Sequence, residues 1–121
     1  MPITKVDVTQ IQGFPEKIIT VIPNSSIIDL DFSLSNFYII NGGNCTLNLI
    51  NLLQCQTVYI VLNSTGSTYN ITWASQDTNL IFRWANGAPP VFTNATANTK
   101  KDLVSLLKIN NDIFGSFLLN L

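Results

Sequence analysis

The sequence predicts an all-β protein, an antiparallel β-sandwich of jelly-roll kind with an extended N-terminal arm. Three observations carry that prediction. Apolar residues recur at every second position in short runs, which is the period of a strand with one buried face. Clusters of Gly, Pro, Asn and Asp divide the runs at intervals of about 8–12 residues, the spacing of turns between short strands. No segment carries a sustained apolar stripe at helical spacing between caps.

Residues 1–26, MPITKVDVTQIQGFPEKIITVIPNSS, carry Pro2, Gly13, Pro15 and Pro23 and alternate only weakly. They fit an extended arm or edge element lying against a partner as well as they fit a first strand, with residues 17–22 as the strand candidate. The domain proper spans residues 27–121. IIDLDF (residues 27–32) sends Ile28, Leu30 and Phe32 to one side and Asp29 and Asp31 to the other. FYII (residues 37–40) is a further candidate, and NGGN (residues 41–44) reads as a hairpin turn. CTLNLIN (residues 45–51) alternates again. TVYIVLN (residues 57–63) is continuously apolar and β-branched, the pattern of a strand buried on both faces. YNITW (residues 69–73) and residues 80–84 follow. KKDLVSLLKI (residues 100–109) has Leu103, Leu106 and Leu107 at helical spacing, but a strand over residues 102–109 suits the surrounding pattern better. Asn110, Asn111 and Asp112 then predict a closing hairpin with residues 114–119. No internal repeat at a solenoid period stands out.

The chain has 121 residues, enough for one domain with one core. Only 11% are charged and 46% are hydrophobic, against about a quarter charged in an ordinary soluble domain. Asn, Thr and Ser therefore make the surface polar. Such a surface has weak long-range fields and little self-repulsion, which favours close packing of copies. The net charge of −1 leaves no basic stripe for phosphates, and Lys100-Lys101 reads as a solvated strand start. No apolar stretch is long enough to span a membrane, and the first ten residues lack an apolar signal core, so export would need another route, such as lysis of the cell.

With no histidine, the commonest general base and metal ligand are missing, and neither a Ser-His-Asp nor a Cys-His site can be assembled. No nucleophile motif is present, and the sequence predicts no enzyme and no cofactor. Asp29 and Asp31 share a strand face, where paired carboxylates serve calcium sites or glycosidases. They lie outside any Asp-rich loop with a turn glycine, so a solvated face suits them better and no metal site is assigned. Cys45 and Cys55 match no zinc spacing and read as small core or near-core residues, with a bridge between them the lesser alternative. Asn24, Asn44, Asn63, Asn70 and Asn94 each open an N-x-S/T triplet, a composition effect in a chain this rich in Asn, Ser and Thr.

From Cys45 to Phe117 the order of features resembles a small β domain of phage virion proteins, found in capsid decorations, head fibres and tail-fibre tips. The matching pieces are Thr46-Leu47-Asn48-Leu49, the β-branched run 58–62, and Ile71-Thr72-Trp73. They continue in the corner Trp84-Ala85-Asn86-Gly87-Ala88-Pro89-Pro90-Val91-Phe92-Thr93, the Asp-led run Asp102-Leu103-Val104-Ser105-Leu106, and the final Ile113-Phe114-Gly115-Ser116. Cys55 stands where the family usually has Gly, Ala85 where it has Pro, and Phe114 where it often has Trp. The resemblance implies a homotrimer with a structural or attachment role in the virion. Its partners would be the major capsid protein or another virion protein, or a glycan on the host surface. It implies no catalytic residue, and it argues against glycosylation of the triplets.

Within the corner, Asn86-Gly87 can supply positive φ, and Pro89-Pro90 fix an extended exit without a backbone donor. That is the chemistry of a rigid corner between strands. Trp73, Trp84, Tyr69, Phe82 and Phe92 cluster around it, and core packing accounts for most of them. Trp84, with Asn86 and Phe92, is the candidate for contact with a neighbouring subunit or a ligand.

Overall fold

The computed structural model describes residues 17–66, 70–93, 95 and 99–121. The first part of the expected arm, Tyr69 and Asn94 lie outside these residues. Among the described residues nine strands form: β1 (Ile18–Val21), β2 (Ile27–Asp31), β3 (Phe37–Ile40), β4 (Cys45–Ile50), β5 (Thr57–Asn63), β6 (Ile71–Ser75), β7 (Ile81–Trp84), β8 (Lys101–Ile109) and β9 (Asp112–Leu118). A 3-10 turn, Ala85–Gly87, follows β7. The protein is all-β, as its periodicity predicts. Residues 101–109 are strand, and among the described residues no helix is long and apolar enough to cross a membrane.

The pairing differs from the expectation. One sheet has the order β1-β3-β5-β8-β9-β7 and the other β2-β4-β6. Five of the seven pairs are parallel, and only β5–β8 and β8–β9 are antiparallel. An antiparallel jelly roll is therefore not the arrangement. From β1 to β7 successive strands alternate between the two sheets, and through β6 each return to a sheet lands beside the strand two before it, whereas β7, β8 and β9 all lie in the large sheet. Parallel neighbours always need a crossover; in four of the five pairs a strand of the facing sheet provides it where a helix usually does, and between β7 and β9 it is β8 of the same sheet. Antiparallel and parallel strands share the same two-residue period, so periodicity could not separate them. NGGN is accordingly no hairpin: it carries the chain from β3 in one sheet to β4 in the other.

The first coil does repeat, because Ile18 pairs with Phe37 and Ile27 with Thr46, both 19 positions on. The next steps, Phe37 to Tyr59 and Cys45 to Ile71, are longer and unequal, which hides the repeat from a fixed-period reading. Residues 18–21 are strand and form one edge of the large sheet, so this part of the first 26 residues belongs to the domain. The closing hairpin forms as predicted, with Ile109 opposite Asp112 across Asn110 and Asn111. It lies between β5 and β7 in the large sheet.

The sheets share one core. Leu30, Leu47 and Leu49 from the small sheet meet Ile40, Val58, Ile60, Leu62, Val104, Leu106 and Ile113 from the large one. Each such side chain contributes about 1.5–3 kcal/mol by leaving water. Ile28, Leu30 and Phe32 face inward and Asp29 and Asp31 outward, as the alternation predicts.

Cys45 is buried and Cys55 exposed, and both are free thiols. Burial pushes the Cys45 thiol above its ordinary pKa, so it is a poor source of thiolate. Cys55 has φ 65° in the turn before β5, the left-handed conformation that costs an L-residue about 1–2 kcal/mol. Glycine takes this conformation without that cost. Cys55→Gly is expected to raise the unfolding free energy by about 0.5–1 kcal/mol once the added freedom of the unfolded chain is deducted. A urea titration reads it directly, and a lowered midpoint would count against the strain argument.

Candidate functional site

The corner from Trp84 to Thr93 packs inward. Trp84 is half-buried, stacked on Phe82 with ring centroids 5.8 Å apart and planes at 6°. Trp73 at 5.2 Å and Phe117 at 6.3 Å meet it at tilted angles. Phe92 also packs against the core, and Pro90 is buried. Asp102, fully buried, fastens the corner: its carboxylate accepts the Thr93 N–H at 2.7 Å, the Thr93 hydroxyl at 2.6 Å and the Asn120 N–H at 2.8 Å. Of the three residues singled out from sequence, only Asn86 is exposed.

The two outer faces differ in chemistry. On the small sheet Asn48 donates to Asp29 at 3.0 Å and Asn51 to Asp31 at 2.9 Å. Hydrogen bonds from the Ser33 hydroxyl first, then from Asn51 and the Ser33 N–H, hold the Asp31 carboxyl below its ordinary pKa. Each carboxylate thus has an amide partner beside it, and among the described residues no three metal-ligating side chains come together.

The outer face of the large sheet is apolar at its centre. One row across the strands runs Ile18, Phe37, Tyr59, Ser105, Ser116; a second runs Thr20, Ile39, Val61, Leu103, Leu118. A third joins Thr57, Leu107, Phe114 and Arg83. Phe37 and Tyr59 are stacked at 5.5 Å with planes 11° apart. Tyr59 remains 38% exposed, Phe114 46% and Leu118 59%. The Ser105 and Ser116 hydroxyls pair at 2.7 Å. With Tyr59, Leu107 and Phe114 they line a hollow of about 460 Å3, whose border Trp84 also reaches. Charge sits at the margins, where Arg83 pairs with Asp112 at 3.0 Å and Lys101 bonds to Asn63. An apolar centre inside a polar margin is the anatomy of a protein interface.

No family model, curated protein or solved structure matches this chain.

The site therefore rests on geometry. The corner was singled out because its aromatics are concentrated in sequence, whereas the exposed aromatics of the sheet face are scattered over β3, β5 and β9. One signal did point to them. Residues 57–63 read as buried on both faces, yet Val58, Ile60 and Leu62 are buried while Tyr59 is exposed and Val61 half-buried. β5 has a two-faced apolar composition with only one face covered.

Proposed function

We propose that this chain is a structural subunit of a phage particle, a small β domain of a capsid decoration, head fibre or similar appendage, with no catalytic role. It assembles as a homotrimer through the outer face of its large sheet and attaches to the major capsid protein or another virion protein. The observation that carries the self-association is β5, apolar on both sides but covered on one. A second copy of the chain suits that face because the apolar centre offers no unpaired charge to a charged partner, and the near-neutral chain has little self-repulsion. The virion setting is supported by the resemblance across residues 45–117. The glycan-binding alternative at the Trp84 corner has weaker support, since the indole is half-buried and packs against Phe82, Trp73 and Phe117.

Light scattering is expected to give a trimer mass for the wild-type protein. Tyr59→Ser with Phe114→Asp is expected to give a monomer with unchanged far-UV circular dichroism, because both side chains point away from the core. Each interface aromatic of this kind is worth about 2 kcal/mol, or roughly thirtyfold in association. A monomeric wild-type protein at high concentration would overturn the assembly reading. Absence of its peptides from purified particles would overturn the virion reading separately.

A further inference from the structure

The chain has two Asn-Gly dipeptides, Asn41-Gly42 and Asn86-Gly87, and the fold holds them in opposite ways. An Asn-Gly pair converts without any enzyme. The glycine backbone nitrogen attacks the asparagine Cγ, forming an N–Cγ bond and losing its proton to solvent, while the Cγ–Nδ2 bond breaks and ammonia departs. Water then opens the resulting five-membered imide at one carbonyl or the other, giving aspartate or isoaspartate. The reaction needs an accessible asparagine, freedom to rotate into the closing geometry, and a following nitrogen that no Cβ shields, which glycine alone provides.

Asn41 is half-buried and lacks the second. Its N–H donates to the Val21 carbonyl at 2.9 Å, and its side-chain oxygen accepts from the buried Asn63 amide. Gly42 is buried against Thr65, with no room even for a Cβ. Asn86 is accessible, is followed by an unshielded nitrogen, and sits in open space. It is exposed, as are Ala85, Gly87 and Ala88. It stands at φ 63° with Gly87 at φ 79°, and nothing lies within 4 Å of the place a Gly87 Cβ would take. The anchors of the corner, Trp84 before it and Pro90 after it, flank the pair without enclosing it.

We propose that Asn86 is a site of spontaneous deamidation in the folded protein, and that the fold protects Asn41. Conversion adds one negative charge, taking the chain from −1 to −2. The isoaspartate product also lengthens the backbone by one methylene inside the corner. In a chain with only 13 charged side chains (6 basic and 7 acidic), that is a large electrostatic change at an exposed turn.

The test follows the full chain at mildly alkaline pH by isoelectric focusing and peptide mass mapping, folded and in denaturant. In the folded protein, conversion at Asn86 is expected to outrun that at Asn41 by about tenfold or more, the ratio set by about 1.4 kcal/mol of barrier. In denaturant the two rates should converge. Asn86→Asp should focus at the position of the acidic form and develop no such form of its own. Equal rates at both sites in the folded chain would overturn the proposal, as would an inert Asn86 in a folded chain whose unfolded form converts.

Discussion

Asp102→Ala is expected to cost about 3–5 kcal/mol, the loss seen when one partner of a buried charged network is removed. The carboxylate is the sole acceptor shown for three donors: the Thr93 N–H, the Thr93 hydroxyl and the Asn120 N–H. Alanine leaves all three facing a cavity. A domain is stable by only about 5–15 kcal/mol, so the variant sits close to unfolding, and the corner that covers the Trp84 cluster loses its fastening. Thr93→Val removes one bond of the set and should cost about 1–2 kcal/mol. Asp102→Asn should fall between the two, because its amide keeps one acceptor oxygen and turns an NH2 toward the donors. Urea midpoints for the three variants give the order. A loss under about 1 kcal/mol for Asp102→Ala would mean that the corner is held by its aromatics alone.

That network was half legible in the sequence. The Asp-led strand and the Trp-to-Thr corner mark its two ends, and the resemblance rests on them. Their contact was not legible, because nothing in the run from Thr93 to Asp102 says that the strand start turns its carboxylate back onto the corner. Strand positions and faces were readable wherever the alternation is clear, because alternation is local; β5, apolar on both sides, is where it failed. Ile28, Leu30 and Phe32 opposite Asp29 and Asp31 needed no knowledge of partners. Pairing is not local. Whether the turn after β3 leads back along the same sheet or across to the other depends on what the next strand finds to cover, so β4 beside β2 could not be read from residues 41–44. The place of the closing hairpin between β5 and β7 is likewise a tertiary choice. It decides which face of the molecule carries Tyr59, Phe114 and Leu118 together, and hence where the candidate interface lies.

Gly115→Ala is expected to cost about 1–3 kcal/mol by overpacking, near the upper end of that range. Gly115 is the direct neighbour of Trp84 across the parallel β7–β9 pair. A Cβ there would stand 2.5 Å from Trp84 Cε3 and Cζ3 and 3.2 Å from Leu106 Cδ2. The indole cannot retreat, because Phe82 is stacked on one face and Trp73 and Phe117 crowd it from other directions. The glycine is therefore the counterpart of the tryptophan, and the two should couple. Trp84→Ala alone should cost about 3 kcal/mol or more by opening a cavity among aromatics. In the double variant the new methyl meets empty space where the ring stood, so the second substitution adds little or restores stability. A double-mutant cycle should return a coupling of about 1–3 kcal/mol. Additive losses would show that the ring shifts freely in the Gly115→Ala protein, and that the packing of the corner does not depend on this close approach. Strong coupling would instead make the tryptophan and the glycine one structural unit, joined across β7 and β9 although 31 positions apart in the chain.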